Sequence, residues 1–340
     1  MPRCSVAEPR PAASADLDFD SLLTPVGSSS APAHGVPAPL TSAPGSVAMA
    51  ELPRRAHEEQ PTWHDFTSSW ELYRDPVVCG VVAGAVLGML GVFVVLRRAV
   101  FVTAAVSQSA ALGVALAFLL GIHLGVTPPP VLCAFGLALA ATTLLARRPS
   151  SNRLPREAIV GLLYVGASAM AVLVGDRIAQ EAEDITAILF GTAVLVRPQD
   201  LLAVLAVSGL VAVALAALYR GLVFAGFDPD GARIQGLPVA RIELLLWTLV
   251  ALEVSVTTRA IGALPVFAFS VLPAMAALRI SNRLPYAVLC AGVAGALSGG
   301  LGYLTAFMLR FPVGAAEACV AAALFSLAAL AARLRRSSLS

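Results

Sequence analysis

The fold is decided by one uncharged, mostly apolar stretch, VVCGVVAGAVLGMLGVFVVL, which runs from Val77 to Leu96. A helix needs about 20 such residues to cross the hydrocarbon core of a bilayer, and this stretch has that length. Gly80, Gly84 and Gly88 recur at every fourth position, so they share one face of the helix. Small residues at this spacing let membrane helices pack closely. The stretch therefore predicts a transmembrane helix with a glycine packing face.

Further apolar runs follow the first one, and together they predict an all-α polytopic membrane protein, a bundle of about nine transmembrane helices. Some runs are short or closely spaced, so eight or ten crossings stay open. Another apolar segment, Ile185–Val196, is too short to span a bilayer and is predicted to be re-entrant or interfacial. The further runs are Ala99–Val126, Val131–Ala146, Ala158–Gly175, Leu201–Tyr219, Ile242–Thr258, Ile261–Leu278, Ala287–Leu309 and Val313–Ala332.

The composition indicates lipid surroundings. Hydrophobic residues make up 58% of the 340 residues and charged residues 13%, about half the share usual in soluble domains. A net charge of +2 does not supply the concentrated basic surface that nucleic-acid binding requires. The five cysteines are scattered singly, without a CxxC or CxxH pair, so neither a disulfide framework nor a zinc site is indicated. We expect no cofactor.

The arginines predict the orientation of the bundle. If the C-terminal arginines lie in the cytoplasm and nine spans alternate, 14 arginines fall on the cytoplasmic side of the bundle. Four fall outside: Arg177, Arg197, Arg259 and Arg310. Cytoplasmic loops of membrane proteins carry an excess of basic residues, so this distribution predicts a multi-pass protein of the cell (inner or plasma) membrane with its C-terminus inside.

The N-terminal part differs from the rest of the chain. Residues 1–75 are predicted to be a tail, mostly rich in Pro, Ala and Ser and disordered, ahead of a membrane domain at 76–336. Near the end of the tail, Trp63, Phe66, Trp70 and Tyr73 suit either a short interfacial helix or a loosely ordered lead-in. Nine spans would place this tail outside the cell, although it contains no apolar signal segment. Either translation starts later, for instance at Met49, or the number of spans differs by one.

Five motifs, in order along the chain, resemble the zinc, manganese and iron permease family of ABC importers. The similarity covers the chain from about Val77 to Arg333 and does not include the tail. The motifs are Gly91–Arg98 followed by Ser107, Gly113–Gly121, Ile188–Gly191 leading into Pro198–Leu202, Phe227–Pro238, and Arg259–Gly262 continuing to Val271–Ala274.

The resemblance implies partners and an activity. It implies a permease that works as a homodimer with cytoplasmic ATPase subunits and an extracytoplasmic metal-binding protein, and that performs no chemistry itself. The loop from Phe227 to Pro238 would couple the permease to the ATPase. Asp228 or Asp230 suits the N-cap of a short helix there, and Gly236 suits its end. The coupling residues implied are Phe227, Asp228, Pro229, Asp230, Ala232 and Gly236.

The second span departs from the family pattern at the residues expected to bind the metal. The family places an aspartate and a histidine four residues apart on this helix, where one divalent ion can bind both. The matching positions here are Ala104 and Gln108, and the proline that usually follows is Leu112. An amide oxygen is a weak ligand for zinc, so the sequence does not support a tight metal site there.

Few other polar residues lie within the spans. Glu253 is near the middle of its run, and an ionisable residue at that depth indicates function, so we place it in the translocation pathway with Ser107 and Gln108. Glu317 is expected to be interfacial, since it lies one turn inside the outer end of the last run. His123 is a weak candidate for a metal ligand because no second ligand is near it in the sequence.

Other functions stay open. The same type of permease can move a different cargo, such as a metal chelate, and a membrane scaffold without transport activity would share the composition. A membrane enzyme would need paired catalytic groups, as in a GxGD or HExxH motif, and the sequence contains neither.

Overall fold

The computed structural model of the protein describes residues 63–125, 128–147, 155–178 and 196–337. All the regular secondary structure in these ranges is helical. The helices are α1 (Trp63–Ser68), α2 (Trp70–Leu96), α3 (Val100–Leu124), α4 (Pro130–Arg147), α5 (Arg156–Arg177), α6 (Pro198–Phe227), α7 (Pro229–Ile234), α8 (Val239–Ile261), α9 (Ala263–Ile280), α10 (Leu284–Leu309) and α11 (Val313–Ser337).

The all-helical polytopic fold predicted from the apolar runs is confirmed. Each of the nine runs corresponds to one long helix, and seven of these helices are long and apolar enough to cross a membrane. Of the other two, α4 has a shorter apolar part, Pro130–Leu145, and α8 carries four charged residues along its length. Only Val196 of the segment predicted to be re-entrant or interfacial lies within the described residues.

Helix α2 lies at the centre of the bundle and packs along α10, α9 and α6. Its glycine face meets a second glycine face on α10, as the spacing of the small residues predicted. A Cβ added to Gly84 would lie 2.8 Å from the carbonyl carbon of Gly295, closer than real Cβ atoms approach. The α2–α10 contact therefore depends on the absence of side chains at these positions.

Two tight turns, one before α3 and one before α9, determine the directions in which these two helices start. Arg98 lies just after the end of α2 and adopts the left-handed conformation, with φ +54°. The amide of the next residue, Ala99, donates a hydrogen bond of 3.2 Å to the carbonyl of Val94. This is a Schellman turn with arginine at the position that glycine usually occupies. Between α8 and α9 the connection is Gly262 alone, with φ +97°.

The aromatic segment ahead of the membrane helices forms α1 and the first turn of α2. Phe66 is buried, with its ring 5.2 Å from that of Phe307 on α10 and 5.9 Å from that of Tyr73. The segment therefore packs on the bundle through these rings. The division at residue 75 stays a prediction, because residues 1–62 lie outside the described part of the chain.

Candidate functional site

A cavity of about 660 Å³ lies between α3, α5 and α9. Its wall is mostly apolar, with a few hydroxyl and amide groups and one charged residue of each sign. The lining residues are Arg98, Ala99, Phe101, Val102, Ala104, Ser107, Gln108, Glu157, Val160, Gly161, Tyr164, Ser168, Val172, Ala263, Leu264 and Phe267.

The positions singled out on the second span face this cavity. Ala104, Ser107 and Gln108 lie three and four residues apart on α3 and form one helical face. The Ser107 hydroxyl donates to the carbonyl of Ala104 at 2.9 Å, so its proton is used within the helix. The Oε1 atom of Gln108 is buried and has no hydrogen-bond partner among the described residues. Gln108 thus lines the cavity with an amide whose oxygen, as placed, is buried and not exposed to the cavity.

The opposite wall comes from α5 and was not predicted. Gly161, Tyr164, Ser168 and Val172 lie three or four residues apart, so they share one face of α5. That spacing is visible in the sequence as small and hydroxyl-bearing residues inside an apolar run. Because packing helices also show such spacing, the pattern by itself does not distinguish a cavity wall from a helix contact.

The two ends of the cavity differ in character. Arg98 and Glu157, at the starts of α3 and α5, provide opposite charges at one end. At the other end Ala263 belongs both to the cavity wall and to a small apolar cluster between α3, α5 and α9. The buried members of that cluster are Ala111, Ala115, Ala171, Val174, Ile178 and Ala263. The cavity thus extends from a charged end to a closely packed apolar end.

Glu253 does not line the cavity. It is fully buried in α8, and its Oε1 accepts a hydrogen bond of 2.7 Å from the hydroxyl of Ser208 on α6. Its Oε2 has no partner among the described residues. One and a half turns further along α8, Arg259 pairs with Asp200 of α6 at 2.9 Å. The contact between α6 and α8 therefore contains a buried carboxylate and an ion pair, and the pathway role of Glu253 stays a prediction.

Glu317 is buried within the bundle, which the sequence did not predict, and its expected place near the outer membrane interface stays a prediction. Its residue is only 1% exposed, because α11 packs against α9 and α10 and the side chain reaches Gly80 of α2. A Cβ added to Gly80 would lie 2.9 Å from its Oε1, and one added to Gly302 would lie 2.7 Å from its Cγ. The glycines of two neighbouring helices leave the space that this side chain occupies. The position of Glu317 along α11 does not indicate this space, because the space is left by glycines on other helices.

The weak histidine candidate stays a prediction. His123 is exposed in the last turn of α3. Within the described ranges no group of three or more His, Cys, Asp or Glu side chains is placed to hold a metal ion.

The loop after α6 contains the short helix that its sequence suggested. Asp228 is the N-cap of α7: its side chain accepts a hydrogen bond of 2.8 Å from the amide of Gly231. Gly236 follows the helix in the left-handed conformation, with φ +79°. Ala232 is fully buried, whereas Phe227 and Ile234 are 66% and 87% exposed. A helix fastened to the bundle by a buried alanine thus presents apolar side chains outward.

The same end of the bundle carries Arg97. A Cβ added to Gly226 at the end of α6 would lie 3.7 Å from the Arg97 guanidinium. Burial lowers the pKa of this guanidinium, and the nearby carboxylate of Glu243 opposes that shift. Arg97 immediately precedes Arg98 and α3. The end of α6, two residues before the N-cap of α7, therefore lies beside the turn that leads into one wall of the cavity.

Apolar helices of membrane-spanning length around a partly polar cavity define a multi-pass membrane protein of the transport type. Comparison with known proteins narrows this class. The model of the family described as the ABC 3 transport family matches residues 69–332, and the chain belongs to that family. It is a multi-pass permease of the cell membrane and a transport component, not an enzyme.

Relatives and a solved structure agree with this assignment. The chain is 26% identical to the manganese transport system membrane protein MntC of Halalkalibacterium halodurans, over 76% of this chain and 87% of that protein. It is 28% identical to the manganese import system permease protein ScaB of Streptococcus parasanguinis, over 77% and 91%. Its fold matches PsaBC from Streptococcus pneumoniae, solved in complex with Fab, with a TM-score of 0.70 at 21% identity, covering 78% of this chain and 95% of that one.

Proposed function

We propose that this chain is the permease subunit of an ABC importer that carries a divalent transition metal, namely manganese, zinc or iron, into the cell. The names of the relatives favour manganese. A partner ATPase drives the transport, an extracytoplasmic metal-binding protein delivers the metal, and two copies of the permease form the pathway. The chain itself provides the wall of the pathway and the surface that the ATPase moves.

The main observation behind this proposal is the presence of helix α7 at the end of the bundle that also carries Arg97. Ile234 is 87% exposed at the end of a helix that is capped by Asp228 and held to the bundle by Ala232. An apolar side chain exposed beyond the membrane helices is suited to a pocket on a partner protein. The cap and the buried alanine make α7 rigid enough to transmit a force.

The transmission runs through contacts in the structure. A displacement of α7 moves the end of α6, and Gly226 there lies against Arg97. Arg97 and Arg98 connect α2 to α3, and α3 carries Ala104, Ser107 and Gln108 along the cavity. Nucleotide binding in the ATPase would therefore shift one wall of the cavity relative to α5 and α9. Such a rigid-body movement changes the access to the cargo from one side of the cavity.

The experiment replaces Ile234 with aspartate and compares this variant with Gln235→Glu, which introduces a negative charge at the neighbouring exposed residue. We expect Ile234→Asp to reduce co-purification of the ATPase at least tenfold and to abolish metal uptake, because a buried apolar contact is lost and a charge is desolvated. Gln235→Glu should retain both. Unchanged ATPase binding by Ile234→Asp, at equal permease level in the membrane, would refute the coupling role.

A further inference from the structure

The size of the cavity suits an organic molecule better than a bare ion. A water molecule occupies about 30 Å³, so a divalent ion with six waters needs roughly 200 Å³. The cavity measures about 660 Å³. Pockets of roughly 300–1,000 Å³ with a mostly apolar wall and a few polar groups are typical of small-molecule sites. The wall here is of that kind, since it combines the apolar Val172, Leu264 and Phe267 with the polar Gln108, Tyr164 and Ser168.

The donor groups of the cavity lead to the same conclusion. Among the described residues that line it, Glu157 is the one carboxylate, and there is no imidazole or thiol. Manganese, zinc and iron are held in proteins by carboxylate, imidazole and thiolate groups. The amide of Gln108 and the hydroxyls of Tyr164 and Ser168 are weak metal ligands, but they donate and accept hydrogen bonds. These groups can therefore bind the outer surface of ligands that are already attached to a metal, but they cannot take the place of those ligands.

The charges in the cavity favour a neutral cargo. Arg98 and Glu157 have opposite signs and lie at the same end, and the rest of the lining is uncharged. A charged molecule moved into the apolar part would lose hydration without gaining a partner of opposite charge. Gln108 adds adaptability, since turning its amide by 180° exchanges the oxygen and the nitrogen. Its Oε1 is buried and has no hydrogen-bond partner among the described residues, so a ligand could reach this oxygen only after the amide turns.

We infer that the metal passes through the cavity inside a complete ligand shell, as a neutral complex with a small organic chelator. Gln108, Tyr164 and Ser168 form hydrogen bonds with the periphery of the chelator, and Val172, Leu264 and Phe267 contact its carbon surface. This inference rests on the proposed function, since it specifies the form in which the metal is imported. The protein would select the complex by its shape and hydrogen bonds.

The test uses the full-length chain with its ATPase in lipid nanodiscs and two radioactive probes of equal zinc content. One probe is free ⁶⁵Zn²⁺, and the other is the neutral bis-histidine complex, with ¹⁴C in the histidine. We expect the complex to bind at least tenfold more tightly than the free ion, with two histidines retained for each zinc. Binding of free zinc at equal or higher affinity, or retention of neither probe, would overturn the inference.

Variants assign the binding to this cavity. Gln108→Leu and Tyr164→Phe should each weaken binding of the complex at least fivefold, whereas Ala169→Ser, a hydroxyl added at an exposed position of α5, should leave it unchanged. The double variant Ala104→Asp with Gln108→His places a carboxylate and an imidazole one turn apart on the cavity face and should gain affinity for free Zn²⁺. If Gln108→Leu and Tyr164→Phe bind the complex as the unmodified protein does, the inference is wrong.

Uptake in cells separates the inference from the proposed function. If cells import free manganese or zinc in medium without chelator, the permease role holds and the inference fails. If cells import neither the free metal nor the complex, and the ATPase does not co-purify, the proposed function itself fails.

Discussion

At the scale of single residues, Gly262 sets the direction of the helix that forms one side of the cavity wall. It is the one residue between α8 and α9, and its φ of 97° and ψ of 161° belong to a region that only glycine occupies readily. The next residues, Ala263 and Leu264, line the cavity. The direction in which α9 leaves α8, and with it one side of the cavity, is therefore determined by the absence of a side chain at residue 262.

Gly262→Ala should destabilise the protein by about 1–3 kcal/mol, the usual cost of holding a residue with a Cβ in this region. The control is Gly209→Ala in α6, where an added Cβ meets no atom within 4 Å. This control should be neutral or slightly stabilising because alanine is the better helix former. Thermal unfolding in detergent compares the two, and equal midpoints would contradict the strain argument.

Glu253 is the residue whose burial most needs an explanation. It is fully buried, one carboxylate oxygen has no partner within the described ranges of the chain, and the other accepts a hydrogen bond from Ser208. We expect Glu253→Gln to reduce metal uptake severalfold at an unchanged level of protein in the membrane, since the side chain keeps its size but loses its ability to ionise during the transport cycle. Uptake and quantitative immunoblotting measure this. Wild-type uptake would restrict Glu253 to a structural role.

At the scale of helices, the contact between α2 and α10 holds the centre of the bundle. In lipid no hydrophobic effect drives two apolar helices together, so close backbone packing has to supply the attraction. Along this contact the glycines of α2 lie directly against α10: a Cβ on Gly88 would be 3.0 Å from the carbonyl carbon of Ala291. Ala291, Gly292 and Gly295 present the matching small face.

Gly84→Val should therefore separate α2 from α10 and reduce stability by at least the ~1–3 kcal/mol typical of overpacked interiors. Gly136→Val in α4 is the matched control, since an added Cβ there meets nothing within 4 Å. The readouts are the thermal midpoint and the fraction of protein that elutes as a single species in detergent. A Gly84→Val protein as stable as the control would show that the helices can adjust their separation without cost.

At the scale of the whole molecule, the two ends of the bundle carry different groups. Arg97, Glu243 and the end of α6 next to α7 lie near one another, and the arginine distribution predicts that this end faces the cytoplasm. The turn between α10 and α11, at Arg310 and Phe311, belongs to the opposite end in the same prediction. The cavity with its charged end at Arg98 and Glu157 would then open toward the cytoplasm.

Single cysteines test this orientation in a chain whose five native cysteines have been replaced by alanine. An impermeant maleimide added to intact cells should label Phe311→Cys and should label Gln235→Cys only after the membrane is permeabilised, because both side chains are exposed but lie on opposite faces. Each variant serves as the control for the other. Labelling of Gln235→Cys in intact cells would reverse the predicted orientation.

The sequence was sufficient for the architecture and for part of the site. Apolar runs of about 20 residues have few alternatives to membrane helices, and all nine became long helices. Ser107, Gln108 and Glu253 were assigned to the pathway; Ser107 and Gln108 line the cavity and Glu253 does not, and the role of all three in transport stays a prediction. The face of α5 with Tyr164 and Ser168 was missed, because polar residues at helical spacing indicate helix packing as readily as a cavity wall.

By itself, the sequence determined the elements of this protein, their order and the family. The elements and their order follow from local properties, namely the length of each apolar run and the spacing of its glycines, and the family follows from the resemblance of five motifs. Only the tertiary structure decided which faces meet. It buried Glu317 between two glycine-bearing helices, placed Glu253 against Ser208 and brought α5 opposite Gln108. Such contacts join residues far apart in the chain, and the free energy of packing that selects them depends on all the helices at once.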